Sequence, residues 1–153
     1  MKRLLIGLAI VTLAAQARAD DQVRPLTDPL TLKACGECHM AFQPAFLPAR
    51  SWNRIMDELD RHFGENAALA PDKAANIRKT LTDGAADRTG GRVATKYLRQ
   101  VEPDAVPIRI TEARAFVRKH DFPARTWTRP EILTKSNCPA CHLGAEKGIY
   151  DDD

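Results

Sequence analysis

Two short motifs in the chain combine cysteine and histidine at the same spacing. Both have the pattern C-x-x-C-H, first at Cys35, Cys38 and His39 and again at Cys138, Cys141 and His142. Two thiols one helical turn apart can each add to a vinyl group on one edge of a porphyrin, while the next imidazole reaches the iron. The pattern is typical of c-type haem attachment, and its two copies predict two covalently bound haems.

Four cysteines in a chain of 153 residues have three other common uses, which these motifs do not favour. Two disulfides would not require a histidine directly after each pair. A four-cysteine zinc site usually separates its pairs by about 15 to 20 residues, whereas roughly a hundred residues separate them here. A redox dithiol would need a strand-helix-strand context that the sequence does not offer. We therefore expect all four cysteines to form thioethers.

Two of the four histidines lie outside the motifs, and the first of them is His62. Apolar side chains recur at steps of three and four over residues 51–63, which predicts an amphipathic helix with Ser51 as N-cap and Gly64 at its end. The predicted apolar stripe consists of Trp52, Ile55, Met56, Leu59, His62 and Phe63. His62 should therefore face the protein interior.

The other is His120, in a segment with the same periodicity. A helix that begins at Thr111 would place the imidazole on an inward-facing stripe. This stripe consists of Ala113, Phe116, Val117 and His120, with Arg114, Arg118 and Lys119 facing outward.

Both of these histidines could be the sixth ligand of a haem iron. An unpaired polar group on a buried face costs about 1 to 3 kcal/mol, so an inward imidazole needs a partner. Two irons that each lack a sixth ligand match His62 and His120 in number and placement, and the alternative is that both are hydrogen-bonded core residues. Met56 shares the stripe of His62 and is a competing ligand. The simplest pairing is local, His39 with His62 and His120 with His142, and a crossed pairing is the alternative.

The first 19 residues have the features of a secretory signal peptide. Lys2 and Arg3 precede an apolar run that is too short to span a bilayer, and Ala17 and Ala19 fit the cleavage pattern. We expect cleavage after Ala19, export to the periplasm and no stable membrane insertion afterwards.

The charge of the chain changes when this segment is removed. Three of the 23 basic residues lie in it, so the remaining 20 match the 20 acidic residues. The basic character of the precursor is therefore no argument for a nucleic acid partner. Two basic runs, residues 88–99 and 114–129, are either solvated faces that pair with haem propionates or a docking surface for redox partners.

The remaining segments also have helical periodicity. A helix from Pro71 carries Ala74, Ile77 and Leu81 on one face, and a second over residues 92–100 carries Val93, Tyr97 and Leu98. We predict a loop over residues 83–91, a hinge over 101–110 and a short helical turn from Pro130, after Trp127. No strand pattern is strong, so the predicted class is all-α.

The predicted organisation is a small helical c-type cytochrome with two haems packed in its core. Residues 1–19 form the signal peptide, 20–105 the N-terminal haem half and 106–153 the C-terminal haem half. The haems would supply apolar surface that a chain of this size lacks, so the protein without haem should fold poorly.

The stretches around the motifs extend this interpretation. With "CGECH" followed by "WNRIMDELDRHFGENA", and "CPACH" followed by "LGAEKG", residues from about Leu32 to Tyr150 resemble the dihaem cytochrome c family of bacterial exported electron carriers. The resemblance implies two bis-histidine haems, with their ligands at His39, His62, His120 and His142. It also implies two redox partners, a membrane cytochrome b and a small monohaem oxygen-binding cytochrome.

Two functions are compatible with a dihaem chain of this kind. Iron with two imidazole ligands has no vacancy for substrate, which favours transfer of single electrons over enzymatic chemistry. The rival is a haem enzyme, such as a peroxidase or a small-oxyanion reductase, with one open or displaceable axial site. As many histidines are spare as iron sites are open, so we expect an electron-transfer protein and not an enzyme.

Overall fold

The structure, a computed structural model, describes residues 21–150, and the proposed signal peptide lies outside them. The helices of this part of the chain are α1 Pro29–Gly36, α2 Ala49–Asp57, α3 Pro71–Asp83, α4 Ala86–Thr89, α5 Arg92–Leu98, α6 Arg114–Lys119 and α7 Ala124–Trp127. Single 3-10 turns lie at Pro44–Phe46, Leu59–Arg61, Ile110–Glu112, Cys138–Ala140 and Ala145–Lys147. Among residues 21–150, extended pairing is limited to isolated bridges. The predicted all-α class is confirmed.

Helix α1 carries the first haem motif at its C-terminal end. Asp28 caps its N-terminus, since one carboxylate oxygen accepts the backbone N–H of Thr31 at 2.7 Å. Pro29 follows as the first helical residue, where its missing N–H costs nothing. These two residues start the helix where they do, and Cys35 then falls in its last turn.

The largest part of the side-chain core lies between α2 and α3. Trp52 and Met56 of α2 pack with Ile77 and Leu81 of α3, and all four are less than a tenth exposed. Full burial of such a side chain contributes about 1.5 to 3 kcal/mol. The predicted helix from Pro71, with Ile77 and Leu81 on its inner face, is confirmed.

Helix α2 differs from its prediction at both ends. It begins at Ala49 with Pro48 as N-cap, and Ser51 is buried inside it. It ends at Asp57, where a 3-10 turn follows, so the prediction that His62 lies on this helix is wrong. Beyond the turn the chain reverses through left-handed backbone at Phe63 and Gly64, which glycine adopts readily.

Helix α6 is shorter than predicted. Its first residue is Arg114 and its N-cap is Ala113, while Thr111 belongs to the preceding 3-10 turn. Val117 is 53% exposed, so the inward stripe is narrower than the periodicity predicts. His120 is the C-cap of the helix and is half-buried.

One further segment prediction is wrong. The expected loop over 83–91 contains α4, where Asp87 accepts the backbone N–H of Ala49 at 2.8 Å. An acid at a helix N-terminus is favourable, so this contact stabilises α4 and α2 together. The turn expected from Pro130 is present, since the N–H groups of Ile132 and Leu133 both donate to the Arg129 carbonyl at 3.0 Å. A further short helix, α7, precedes it and ends at Trp127.

The two ends of the described chain lie side by side. Gln22 and Ile149 form an antiparallel bridge, and the N–H of Val23 donates to the Gly148 carbonyl at 2.8 Å. Gly148 has a φ of +77°, and a Cβ there would come within 2.2 Å of the Val23 oxygen. Only glycine therefore permits this approach. Within residues 21–150, no helix has the length and apolar character needed to cross a membrane.

Candidate haem sites

Each motif is wound into a single helical turn. In the first, the backbone N–H of His39 donates to the Cys35 carbonyl at 3.3 Å. In the second, the N–H of His142 donates to the Cys138 carbonyl at 2.8 Å. The winding puts the two thiols of each motif one turn apart, as addition to one porphyrin edge requires. None of the four cysteines, all within residues 21–150, forms a disulfide.

The first cysteine of each motif is withdrawn from solvent. Cys35 and Cys138 are half-buried, whereas Cys38 and Cys141 are exposed. Burial raises the pKa of the Cys35 thiol and raises the pKa of the Cys138 thiol to about 11. Burial therefore disfavours the thiolate form of both inner cysteines.

The first candidate site is formed by His39 and His62. Their ring centroids are 6.1 Å apart and their planes differ by 19°. Nδ1 of His39 lies 2.7 Å from the Met40 carbonyl oxygen, and since a carbonyl only accepts, Nδ1 carries the proton. The lone pair of His39 is then on Nε2, the nitrogen remote from its backbone.

The local environment of His62 favours its neutral form. Burial lowers the pKa of His62, and the neighbouring His39 imidazole lowers it further. A neutral imidazole is the form that binds metal. The Phe63 ring packs on His62 with 4.8 Å between centroids. The guanidinium of Arg109 lies over the Phe63 ring, 4.4 Å from its centroid.

The second candidate site is formed by His120 and His142. Their ring centroids are 5.9 Å apart, with 75° between the planes. Nδ1 of His120 lies 3.0 Å from the Phe116 carbonyl oxygen, which again assigns the proton to Nδ1 and the lone pair to Nε2. The Phe116 ring also stacks on His120, with 3.9 Å between centroids and 6° between planes. Phe116 of α6 thus orients this imidazole through both its carbonyl and its ring.

The spacing within each pair matches one iron between two imidazoles. A metal–imidazole bond is about 2 Å and the ring centroid lies about 1 Å behind the nitrogen, so two axial rings should be about 6 Å apart. Both pairs have this separation. The structure therefore brings together His39 with His62 and His120 with His142. Met56, the competing ligand, is buried in the core between α2 and α3.

A cavity of about 810 Å³ adjoins the second pair. This volume is within the range of pockets for large organic ligands. Its wall includes Cys138, Cys141, His120, His142, Phe46, Tyr97, Phe116 and Trp127. Attachment thiols, two facing imidazoles and aromatic walls at one cavity fit a haem.

Cations dominate the charged part of the cavity wall. The charged residues that line it are Lys96, Arg99, Arg118, Lys119, Lys135 and one acid, Asp21. The Asp21 carboxylate pairs with the ammonium groups of Lys96 and Lys119, the latter at 3.3 Å. Burial alone would raise the pKa of Asp21, but these two ammonium groups outweigh it and hold the pKa below its usual value. The cavity wall therefore keeps an excess of positive charge.

Asp21→Asn should destabilise the holoprotein by about 1 kcal/mol at neutral pH, because both ion pairs lose their anion. A carboxylate with a lowered pKa stabilises the fold above its unfolded pKa, and the effect is lost as pH falls through the folded value. The difference between wild type and variant in urea unfolding should therefore shrink in acid, below about pH 4.

Asp83→Asn is the control for this comparison. Asp83 pairs with Lys79 one turn away on α3, and its side chain is 64% exposed, so its loss should cost less. If the loss of unfolding free energy in Asp21→Asn were the same from pH 7 to pH 3, the ionised Asp21 carboxylate would not be the source of the stabilisation.

Residues 31–150 match the family model described as Dihaem cytochrome c. The chain belongs to the dihaem cytochrome c family. It is 42% identical to the diheme cytochrome c from Rhodobacter sphaeroides over 83% of this chain and 99% of that one, with a TM-score of 0.74. It is 37% identical to the diheme cytochrome type c from Shewanella baltica OS155 over 80% of this chain and 86% of that one, with a TM-score of 0.64. No curated protein shows significant similarity to the chain.

Membership confirms the family resemblance and the two c-type haems of this dihaem cytochrome. One haem belongs to each C-x-x-C-H motif. The sequence did not single out Phe42, which stacks on His39, or Asp21 at the second cavity. The stacking of Phe42 on His39 had one local signal, the spacing of three residues between them. The ion pair of Asp21 with Lys96 spans 75 residues and has no local signal.

Proposed function

We propose that both irons have two histidine ligands, His39 with His62 at the first site and His142 with His120 at the second. The observation that carries this proposal is the separation of about 6 Å between ring centroids in both pairs. The hydrogen bonds from Nδ1 of His39 and His120 support it, because they keep the proton away from Nε2.

On this basis the protein passes single electrons and is not an enzyme. The bound haem supplies an iron that cycles between the ferrous and ferric states. The two cysteines of each motif would hold a haem by thioether bonds, and the two histidines of each pair would bind its iron and leave no position for substrate. Phe116 keeps the His120 ring in one orientation, which limits the change of geometry when the electron arrives.

The optical and magnetic spectra of the purified holoprotein test this proposal. We expect both haems to be low-spin in the oxidised and reduced states, and the reduced spectrum to be unchanged by carbon monoxide. Electron paramagnetic resonance should give two low-spin signals without a high-spin component. Carbon monoxide binding to one reduced haem would instead support a haem enzyme with an open axial site.

We also propose that the mature protein works in the periplasm, after cleavage behind Ala19. The short apolar run of residues 4–15 and the small residues before the cleavage position support export. Attachment of haem to C-x-x-C-H motifs is compatible with that compartment. Mass spectrometry of the secreted protein should give residues 20–153 plus two haems.

Its partners, we propose, are other redox proteins, a membrane cytochrome b and a small monohaem cytochrome. The basis is the family resemblance together with the cations at the second cavity. Arg118 lines that cavity and Arg125 lies in α7, and both are exposed. Four haem propionates make the holoprotein acidic overall, so this basic surface would steer an acidic partner to one face.

Oxidation of the reduced protein by ferricyanide should report this surface. The rate should fall as salt rises, and Arg118→Glu with Arg125→Glu should lower it by roughly tenfold at low salt, because an anionic oxidant loses its attraction. A cationic cobalt complex should not show this fall. Lys73→Glu, at an exposed position of α3, is the matched control. Rates independent of salt and of Arg118 would refute a basic docking face.

A further inference from the structure

The segment that follows the first haem motif runs between the two sites. The ring of Phe42 stacks on the His39 imidazole, with 5.1 Å between centroids and 25° between planes. The same side chain forms part of the wall of the second cavity, together with Cys138 and His142. One aromatic side chain therefore contacts a histidine of the first site and faces the haem cavity of the second.

Neighbouring residues fix this segment in place. Gln43 is fully buried, and its Nε2 donates to the Ala145 carbonyl at 2.8 Å. Its Oε1 accepts a hydrogen bond from the Tyr150 hydroxyl. Phe46 packs edge-on against the Tyr150 ring at 5.2 Å. These contacts join residues more than a hundred positions apart in sequence. They anchor the backbone that carries Phe42 to the chain that follows the second motif.

We propose that Phe42 is the positioning residue that couples the two haems electronically, an inference that rests on the proposed function above. Electron tunnelling weakens less through atoms in contact than across a gap, and packed protein interiors leave few gaps. One electron moves, so one iron goes from ferrous to ferric and the other from ferric to ferrous, and no bond forms or breaks. Phe42 keeps the space between the sites filled and holds the plane of the His39 ring.

A graded series at this position in the intact dihaem protein tests the proposal. We would measure the rate of electron exchange between the haems after rapid photoreduction of one of them. Phe42→Tyr should retain the rate within about twofold, Phe42→Leu should slow it roughly tenfold, and Phe42→Ala should slow it further, as first the ring and then the side chain is lost. The resonance g values of one haem only should move, because only His39 loses its stacking partner.

Phe122→Leu is the matched control. Phe122 lines the same cavity and packs edge-on against His120 at 6.1 Å, so its loss perturbs the second site, and it should slow the exchange less than Phe42→Leu does. Equal slowing by Phe122→Leu, or unchanged exchange in Phe42→Leu with both haems low-spin, would overturn the role of Phe42. A high-spin haem in the unsubstituted protein would refute the proposed ligation instead. If Phe42→Ala fails to retain haem, the exchange rates of Phe42→Tyr and Phe42→Leu still test the role of the ring.

Discussion

His120→Ala should keep both haems on the chain and convert one of the two irons to a high-spin form that binds carbon monoxide. The covalent attachment at Cys138 and Cys141 and the ligand His142 are untouched, so haem content should not change. On the proposed ligation, the change removes one axial nitrogen and leaves an open position on that iron. Half of the reduced haem should then respond to carbon monoxide, measured by optical titration against total haem.

His62→Ala should have the same effect at the first site. Met56→Leu tests whether Met56 and not His62 is the sixth ligand of the first iron. Met56 is buried in the core between α2 and α3, so its replacement by leucine keeps the apolar volume and should leave both spectra low-spin. A low-spin His62→Ala protein together with a high-spin Met56→Leu protein would reverse the assignment. A His120→Ala protein that stays low-spin would mean that another residue ligates the second iron.

The sequence predicts the chemistry of the sites better than the backbone that presents them. The C-x-x-C-H motifs are local, and five residues are enough to define where haem is attached. The helix from Pro71 was predicted correctly because its start signal and its apolar face agree. His62 and His120 were placed on helices that end before them, yet both face a motif histidine as their apolar surroundings suggested.

The errors have physical causes that a local pattern does not contain. The apolar period around His62 continues past Asp57, but the chain leaves the helix and reverses at Phe63 and Gly64. Helix α4 is held by the contact between Asp87 and Ala49, which are 38 residues apart. The coupling contact of Phe42 likewise depends on how the two halves meet. Such tertiary contacts override local propensity.

The second haem should contribute more to folding than the first. Among the described residues from 106 onward, the buried hydrophobic side chains are Phe116, Ile132 and Ala145. The first half, in contrast, has its own cluster around Trp52 and Ile77. The second haem would fill the cavity of about 810 Å³ and so replace the core that these later residues lack.

Replacing Cys138 and Cys141 by alanine should therefore unfold the C-terminal half, whereas replacing Cys35 and Cys38 should leave most of the fold intact. Each double variant should lose the mass of one covalent haem. Without its haem this half lacks most of the apolar surface that would hold it together, so the chain around the cavity should open.

Amide hydrogen exchange followed by mass spectrometry would locate the change. Protection should be lost over residues 106–150 in the Cys138 and Cys141 variant, while α2 and α3 stay protected by their own packing. In the Cys35 and Cys38 variant both regions should stay protected. Equal protection of residues 106–150 in the two variants would mean that the side chains, and not the second haem, hold this half together.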